Sequence, residues 1–230
     1  MQTAGQPRPV TGRWMLTAFA VALVIGGVSL TLRGSGEDGT LLGLKLTARW
    51  SYLWFWWAYT AGAWATLLGP RLRTLAMHSR DFGLAFAAAH LVHVALVVWI
   101  YQVAEHLPGA RTLEFFGVAV LFTYLLALLS FRRFAGWLTP RAVSVIRTVG
   151  VEYIALAFLV DFIGPPFAHT LKYAVSYGLF LALIVLGYGV RIGALLRRHA
   201  HSRPAWEPRC FDIQPAATTG VFCDASQHRL

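Results

Sequence analysis

Six apolar stretches govern what this chain can become: residues 14–32, 49–69, 82–103, 113–131, 145–163 and 170–190. Each is close to the ~20 residues that a helix needs to cross a hydrocarbon core of roughly 30 Å. In lipid every backbone N–H and C=O must be satisfied within its own segment, so such stretches fold as helices. The interior of a soluble domain hides one or two of them, not six. The sequence therefore predicts an all-α, polytopic membrane protein, a six-transmembrane-helix bundle.

Hydrophobic residues make up 57% of the 230 and charged residues only 13%, which leaves no room for a second folded domain. The expected division is an N-terminal segment at 1–13, a transmembrane domain at 14–190 and a basic tail at 191–230. The first stretch is too long for the apolar core of a signal peptide. The residues after it, Leu32-Arg33-Gly34-Ser35, do not form a small-residue cleavage site, so it is expected to stay as the first helix.

A net charge of +10 would suit a nucleic-acid binder, but the basic residues lie in turns and ends rather than on one face with aromatic stacking platforms. Nucleic acid is therefore not an expected partner. The positive-inside rule accounts for them better. Fifteen collect on one side: Arg8 and Arg13, then Arg71, Arg73 and Arg80, then Arg132, Arg133, Arg141 and Arg147, then the six arginines of the tail. Five fall on the other: Arg33, Lys45, Arg49, Arg111 and Lys172. Both termini are expected in the cytoplasm, in a multi-pass protein of the cell inner membrane.

Pro70, Pro108, Pro140, Pro165 and Pro166 lie between the stretches, where a missing N–H costs a helix nothing. Residues 33–48 are expected to form the one longer outer connection, with Leu41-Leu42-Gly43-Leu44-Lys45-Leu46 lying in the interface. The tail should begin as a helical extension carrying Arg191, Arg197 and Arg198, suited to anionic lipid heads. Past Pro204, Pro208 and Pro215 it is expected to be disordered on the cytoplasmic side. Cys210 and Cys223 form neither a CxxC pair nor a zinc set, and free thiols are the expectation. There is no internal repeat or pair of broken helices of the kind transporters use.

The second stretch is crowded with Trp50, Trp54, Trp56, Trp57 and Trp64. Interfacial belts account for Trp50 and Trp54, while the deeper rings suit either lipid or a cofactor wall. The third stretch holds two mid-membrane imidazoles, His90 and His93, about 60° apart around the helix and so pointing in similar directions. Gly83, Ala87 and Ala89 flank them with space for a bulky planar group. Polar groups at this depth tend to be functional. Two readings follow from chemistry alone: a haem or metal ligand, or a neutral histidine bonded to a serine or a carbonyl of the next helix.

From Ala48-Arg49-Trp50 to Leu67-Leu68-Gly69-Pro70-Arg71, then through Ser79-Arg80-Asp81-Phe82-Gly83-Leu84 to His93, the chain resembles the ferric reductase-like transmembrane domain family. Within it the likeness is to the haem-binding membrane subunits of periplasmic methionine sulfoxide reductase systems. In that family an Arg-Arg-x-Leu-Gly-Leu stretch opens the third helix and a haem-ligating histidine follows ten residues after its glycine. Ten residues after Gly83 stands His93. The resemblance therefore implies haem b, with His93 on the haem iron and His90 as an additional neighbour.

Family members carry two further histidines on the fifth helix. Here the matching positions are Ile146 and Leu159 or, in another register, Val149 and Phe162, none of which ligates iron. Tyr153 is then the remaining candidate for a second axial ligand. His78, His106 and His169 are expected to be solvated near the membrane surfaces. The flavin and nicotinamide domain of larger ferric reductases is not found in the sequence, so electrons would have to come from quinol or a partner protein.

The fifth stretch carries Arg147, Glu152 and Asp161. Asp161 is expected at the interface, on nearly the opposite face from Glu152. Glu152 lies deep enough to need a partner, and the first candidate is His90 or His93, as a substitute for a lost haem or as a proton relay. Two functions follow. One is a haem-degenerate accessory subunit of a membrane complex, partnered by the lipid bilayer and another membrane or periplasmic protein. The other is a haem b electron-transfer protein, at most an oxidoreductase subunit, taking electrons from quinol to an extracytoplasmic acceptor.

Overall fold

A computed structural model describes residues 9–104, 109–163 and 171–202, and all regular structure among them is helical. The helices are α1 (Pro9–Arg33), α2 (Glu37–Leu68), α3 (Arg73–Met77), α4 (Ser79–Val103), α5 (Ala110–Leu129), α6 (Arg132–Ala135), α7 (Pro140–Ile163) and α8 (Leu171–Ser202), with a 3-10 turn at Gly69–Leu72. Their ends follow local chemistry. Gly34 and Gly69 adopt φ values of 83° and 78°, a left-handed backbone that glycine takes without a steric penalty. Glu37 and Asp38 sit in the first turn of α2, where the helix dipole favours acids. Pro140 opens α7, at a position that has no intrahelical use for an N–H.

Five helices, α1, α4, α5, α7 and α8, are long and apolar enough to cross a membrane, so this is an all-helical membrane-spanning protein. The exception is α2, the longest together with α8 at 32 residues. Its composition differs because its surroundings do. It is the central element, packed on α1, α4 and α8, and its buried face carries glycine, threonine, serine and tyrosine beside apolar residues. The hydroxyls of Thr40, Thr47 and Thr60 are buried and bond back to the carbonyls of Gly36, Gly43 and Trp56 at 2.7–2.8 Å, which satisfies them without help from other helices.

The 33–48 connection expected from its glycines is instead three residues, Gly34–Gly36, followed by the first three turns of α2. Gly39, Thr40, Gly43 and Thr47 recur at helical spacing on one buried face, a small-residue seam along which helices approach closely. A Cβ on Gly43 would lie 3.1 Å from a Leu96 methyl and 3.5 Å from the Ser29 Cβ. What reads as a loop in sequence is the contact of α2 with α1 and α4. At the other end, α8 continues through Arg191 to Ser202, the expected basic extension. The rest of the tail, with Cys210 and Cys223, lies outside the described residues, as do His106 and His169.

Cross-helix contacts fix the helix directions. The Trp50 indole donates to the Ala18 carbonyl at 2.9 Å while Ser29 neighbours Gly43, so α1 and α2 are antiparallel. Thr11 meets Asp81 and Gly26 meets Val92 and Leu96, so α1 and α4 are parallel. Trp56 donates to the Leu183 carbonyl at 2.7 Å and the Arg197 guanidinium reaches the Thr66 and Leu67 carbonyls, so α2 and α8 are parallel. Arg147 bonds the Leu129 carbonyl and Tyr153 the Phe115 carbonyl, which makes α5 and α7 antiparallel. Where α2, α4, α7 and α8 converge, the core is aromatic: Tyr52, Phe55, Phe86, Phe158 and Phe162 are all buried.

Candidate functional site: a histidine pair and an embedded ion pair

His90 and His93 share one side of α4 with rings nearly parallel, 5.1 Å between centroids and 21° between planes. Nδ1 of His93 lies 3.2 Å from Oγ1 of Thr47. That hydroxyl gives its single proton to the Gly43 carbonyl at 2.7 Å, so its oxygen is left to accept and His93 donates through Nδ1–H. The Leu44 carbonyl is a second acceptor beside the His93 ring. Nδ1 of His90 is buried with no partner among the described residues.

The space around the pair is filled. Ala85 and Ala89 are fully enclosed against Ala18 and Ala22 of α1. Of the small residues expected to leave space for a planar group, Ala89 serves close helix packing, while Gly83 lines a cleft on α4. Phe86 lies 5.3 Å and Phe158 6.5 Å from the His90 ring. Phe158 stacks in turn on Phe162, one of the positions where the resemblance requires a ligand, with 13° between planes. Leu159 packs against the same core, Ile146 is half-buried, and Val149 is exposed. Tyr153 donates its hydroxyl to the Phe115 carbonyl on α5 at 3.1 Å. It is turned away from the imidazoles and does not supply a second axial ligand. The residues opposite His90 thus do not fit a haem held between two histidines. Among the described residues no three His, Cys, Asp or Glu side chains are grouped to hold a metal.

Glu152 does not reach either histidine, contrary to the expected bond. Its Oε2 accepts from the Tyr59 hydroxyl at 2.9 Å and its Oε1 pairs with the Arg191 guanidinium at 2.5 Å. Arg191 also lies over the Tyr59 ring, 4.2 Å from its centroid, a cation–π contact. The carboxylate is thus held at both oxygens by α2 and α8. Sequence reading found the need for a partner and chose the wrong one, because it assigned Arg191 to lipid heads, whereas α8 turns it onto Tyr59 and Glu152. An arginine one residue past a 21-residue apolar stretch was the available signal.

The tryptophans divide by role. Trp50 and Trp56 tie helices together through indole-to-carbonyl bonds, Trp57 is exposed, and the Trp54 indole N–H is buried without a partner among the described residues. His78, expected to be solvated, pairs through Nδ1 with Asp81 at 2.9 Å, and Asp81 also accepts from Thr11 at 2.7 Å. This ties the start of α1 to the start of α4. Asp161 is exposed, facing Arg49. Comparison with protein-family models, curated proteins and solved structures finds no match for this chain.

Proposed function

We propose that the chain crosses the inner membrane six times with both termini in the cytoplasm, and that it is a haem-degenerate relative of ferric reductase-like transmembrane domains, acting as an accessory subunit of a membrane complex. Alternating helix directions support the six crossings, with α1, α4 and α7 running one way and α2, α5 and α8 the other. The 15 to 5 division of basic residues supports the orientation. Phe158 carries the functional reading: it stands against His90 and stacks on Phe162, so aromatic carbon fills the place where a second histidine would face the iron.

The test is the visible absorption spectrum of the full chain, purified in mild detergent from cells supplied with a haem precursor. The expected spectrum has no haem band. A band at one haem per chain that survives purification would overturn the reading. The haem b electron-transfer alternative draws on one observation, the His93 ring anchored on Thr47 of α2, the kind of outer hydrogen bond that orients a ligand. On that alternative His93→Ala abolishes the band and His90→Ala weakens it at most.

A further inference from the structure

A cleft of about 270 Å³ opens between α2, α4, α5 and α7 near the starts of α4 and α7. Its mouth and floor differ in chemistry. Ser79, Arg80, Ser130 and Arg147 line one end, and Phe55, Phe86, Leu126 and Ile154 line the interior. No carboxylate lines it. Among the described residues Arg80 and Arg147 form no ion pair, and Arg147 donates through its Nη2 to the Leu129 carbonyl at 3.0 Å. α4 and α5 meet over a small area, which leaves the cleft a lateral way out between them. By the positive-inside assignment, the two arginines sit at the depth of the cytoplasmic lipid heads.

We propose that this cleft is a binding site for one anionic phospholipid, its phosphodiester held by Arg80 and Arg147 with the Ser79 and Ser130 hydroxyls beside it, and one acyl chain lying in the apolar interior. Charge complementarity selects the occupant: two guanidiniums with no acid among them favour a net negative head over a zwitterionic one. The seam between α4 and α5 supplies the entry path from the bilayer. The inference rests on the six-crossing reading above and is independent of haem.

Native mass spectrometry of the full chain in neutral detergent, with phosphatidylglycerol or phosphatidylcholine of the same acyl chains added, tests it. Each arginine near an anionic head is worth roughly fivefold, so a preference of roughly 25-fold for phosphatidylglycerol is expected, at one lipid per chain. Arg80→Gln should lower that preference roughly fivefold, and Arg80→Gln with Arg147→Gln should nearly abolish it. Ala127→Phe, on the cleft wall, should reduce retention of both lipids. Should the double variant not fold, Arg80→Gln alone decides, since this exposed side chain has no ion-pair partner to lose. Equal retention of the two lipids, an unchanged preference in Arg80→Gln, or saturation by inorganic phosphate alone would overturn the proposal. Lipid occupancy and the absorption spectrum fail separately, and a reversed topology would show in reporter fusions rather than in either.

Discussion

At the scale of single residues the most consequential grouping is Tyr59, Glu152 and Arg191, one from each of α2, α7 and α8. Removing one member of an embedded ion pair leaves the other charge without compensation, whereas removing both can be nearly neutral. Glu152→Leu and Arg191→Leu should each cost about 2 kcal/mol. That is below the cost for a fully enclosed pair, because the Glu152 side chain is still 40% accessible at the bundle surface. The double replacement should cost less than the sum of the two. Thermal unfolding in detergent gives all three values, and strict additivity would mean that the contact contributes nothing. Asp161→Asn, at an exposed position, should leave the midpoint unchanged. The need for this pair was legible in the sequence as a carboxyl too deep to stand alone, but its partner was not. A helical extension at Arg191 was expected, but whether its guanidinium turns to lipid heads or to Glu152 depends on the rotation of α8, which hydropathy does not record.

At the scale of elements, α2 differs most from its sequence reading, and glycine is the reason. In loops glycine supplies conformational freedom, and between helices it supplies closeness; composition alone does not separate the two uses. Spacing does, since Gly39, Gly43 and Thr47 recur every four residues, the period of a helix face. The test contrasts two glycines. Gly43→Leu drives a side chain into Leu96 and should cost about 1–3 kcal/mol, the range for overpacked sites. A side chain at Gly27, which has nothing within 4 Å, should be accepted with a change within about 0.5 kcal/mol. Equal midpoints for Gly43→Leu and Gly27→Leu in thermal unfolding would disprove the seam. The other five long helices were legible because they face lipid on one side, and lipid imposes the apolar run that hydropathy detects.

At the scale of the whole molecule, helix directions and charge distribution agree. The start of α1 lies beside the start of α4 through Thr11 and Asp81, and the last turns of α8 lie beside the end of α2 through Arg197 and Leu67. Enzyme reporters fused after Val103 and near Pro166 should be active in the periplasm, and one fused after Arg198 only in the cytoplasm. The opposite pattern would invert the orientation and with it the depth assigned to Arg80 and Arg147. The all-helical, membrane-spanning class and the approximate place of each long helix were readable from length and hydropathy. The surroundings of His90 and His93 were not, because which residue of α7 faces α4 depends on rotation and tilt, and neither is written in an apolar sequence.

The polarity of α2 also bears on how the bundle is built. Polypeptide leaves the translocon from its N-terminus, so α2 arrives with only α1 for company, and the α4 surface that covers its Thr47 and Gly43 face is made later. On the six-crossing proposal α2 is the span that falls outside the five helices apolar enough to cross by themselves, so its neighbours help to hold it. It therefore enters the bilayer paired with α1, and the aromatic core closes only once α7 and α8, which supply Phe158, Phe162 and Tyr177, have been made.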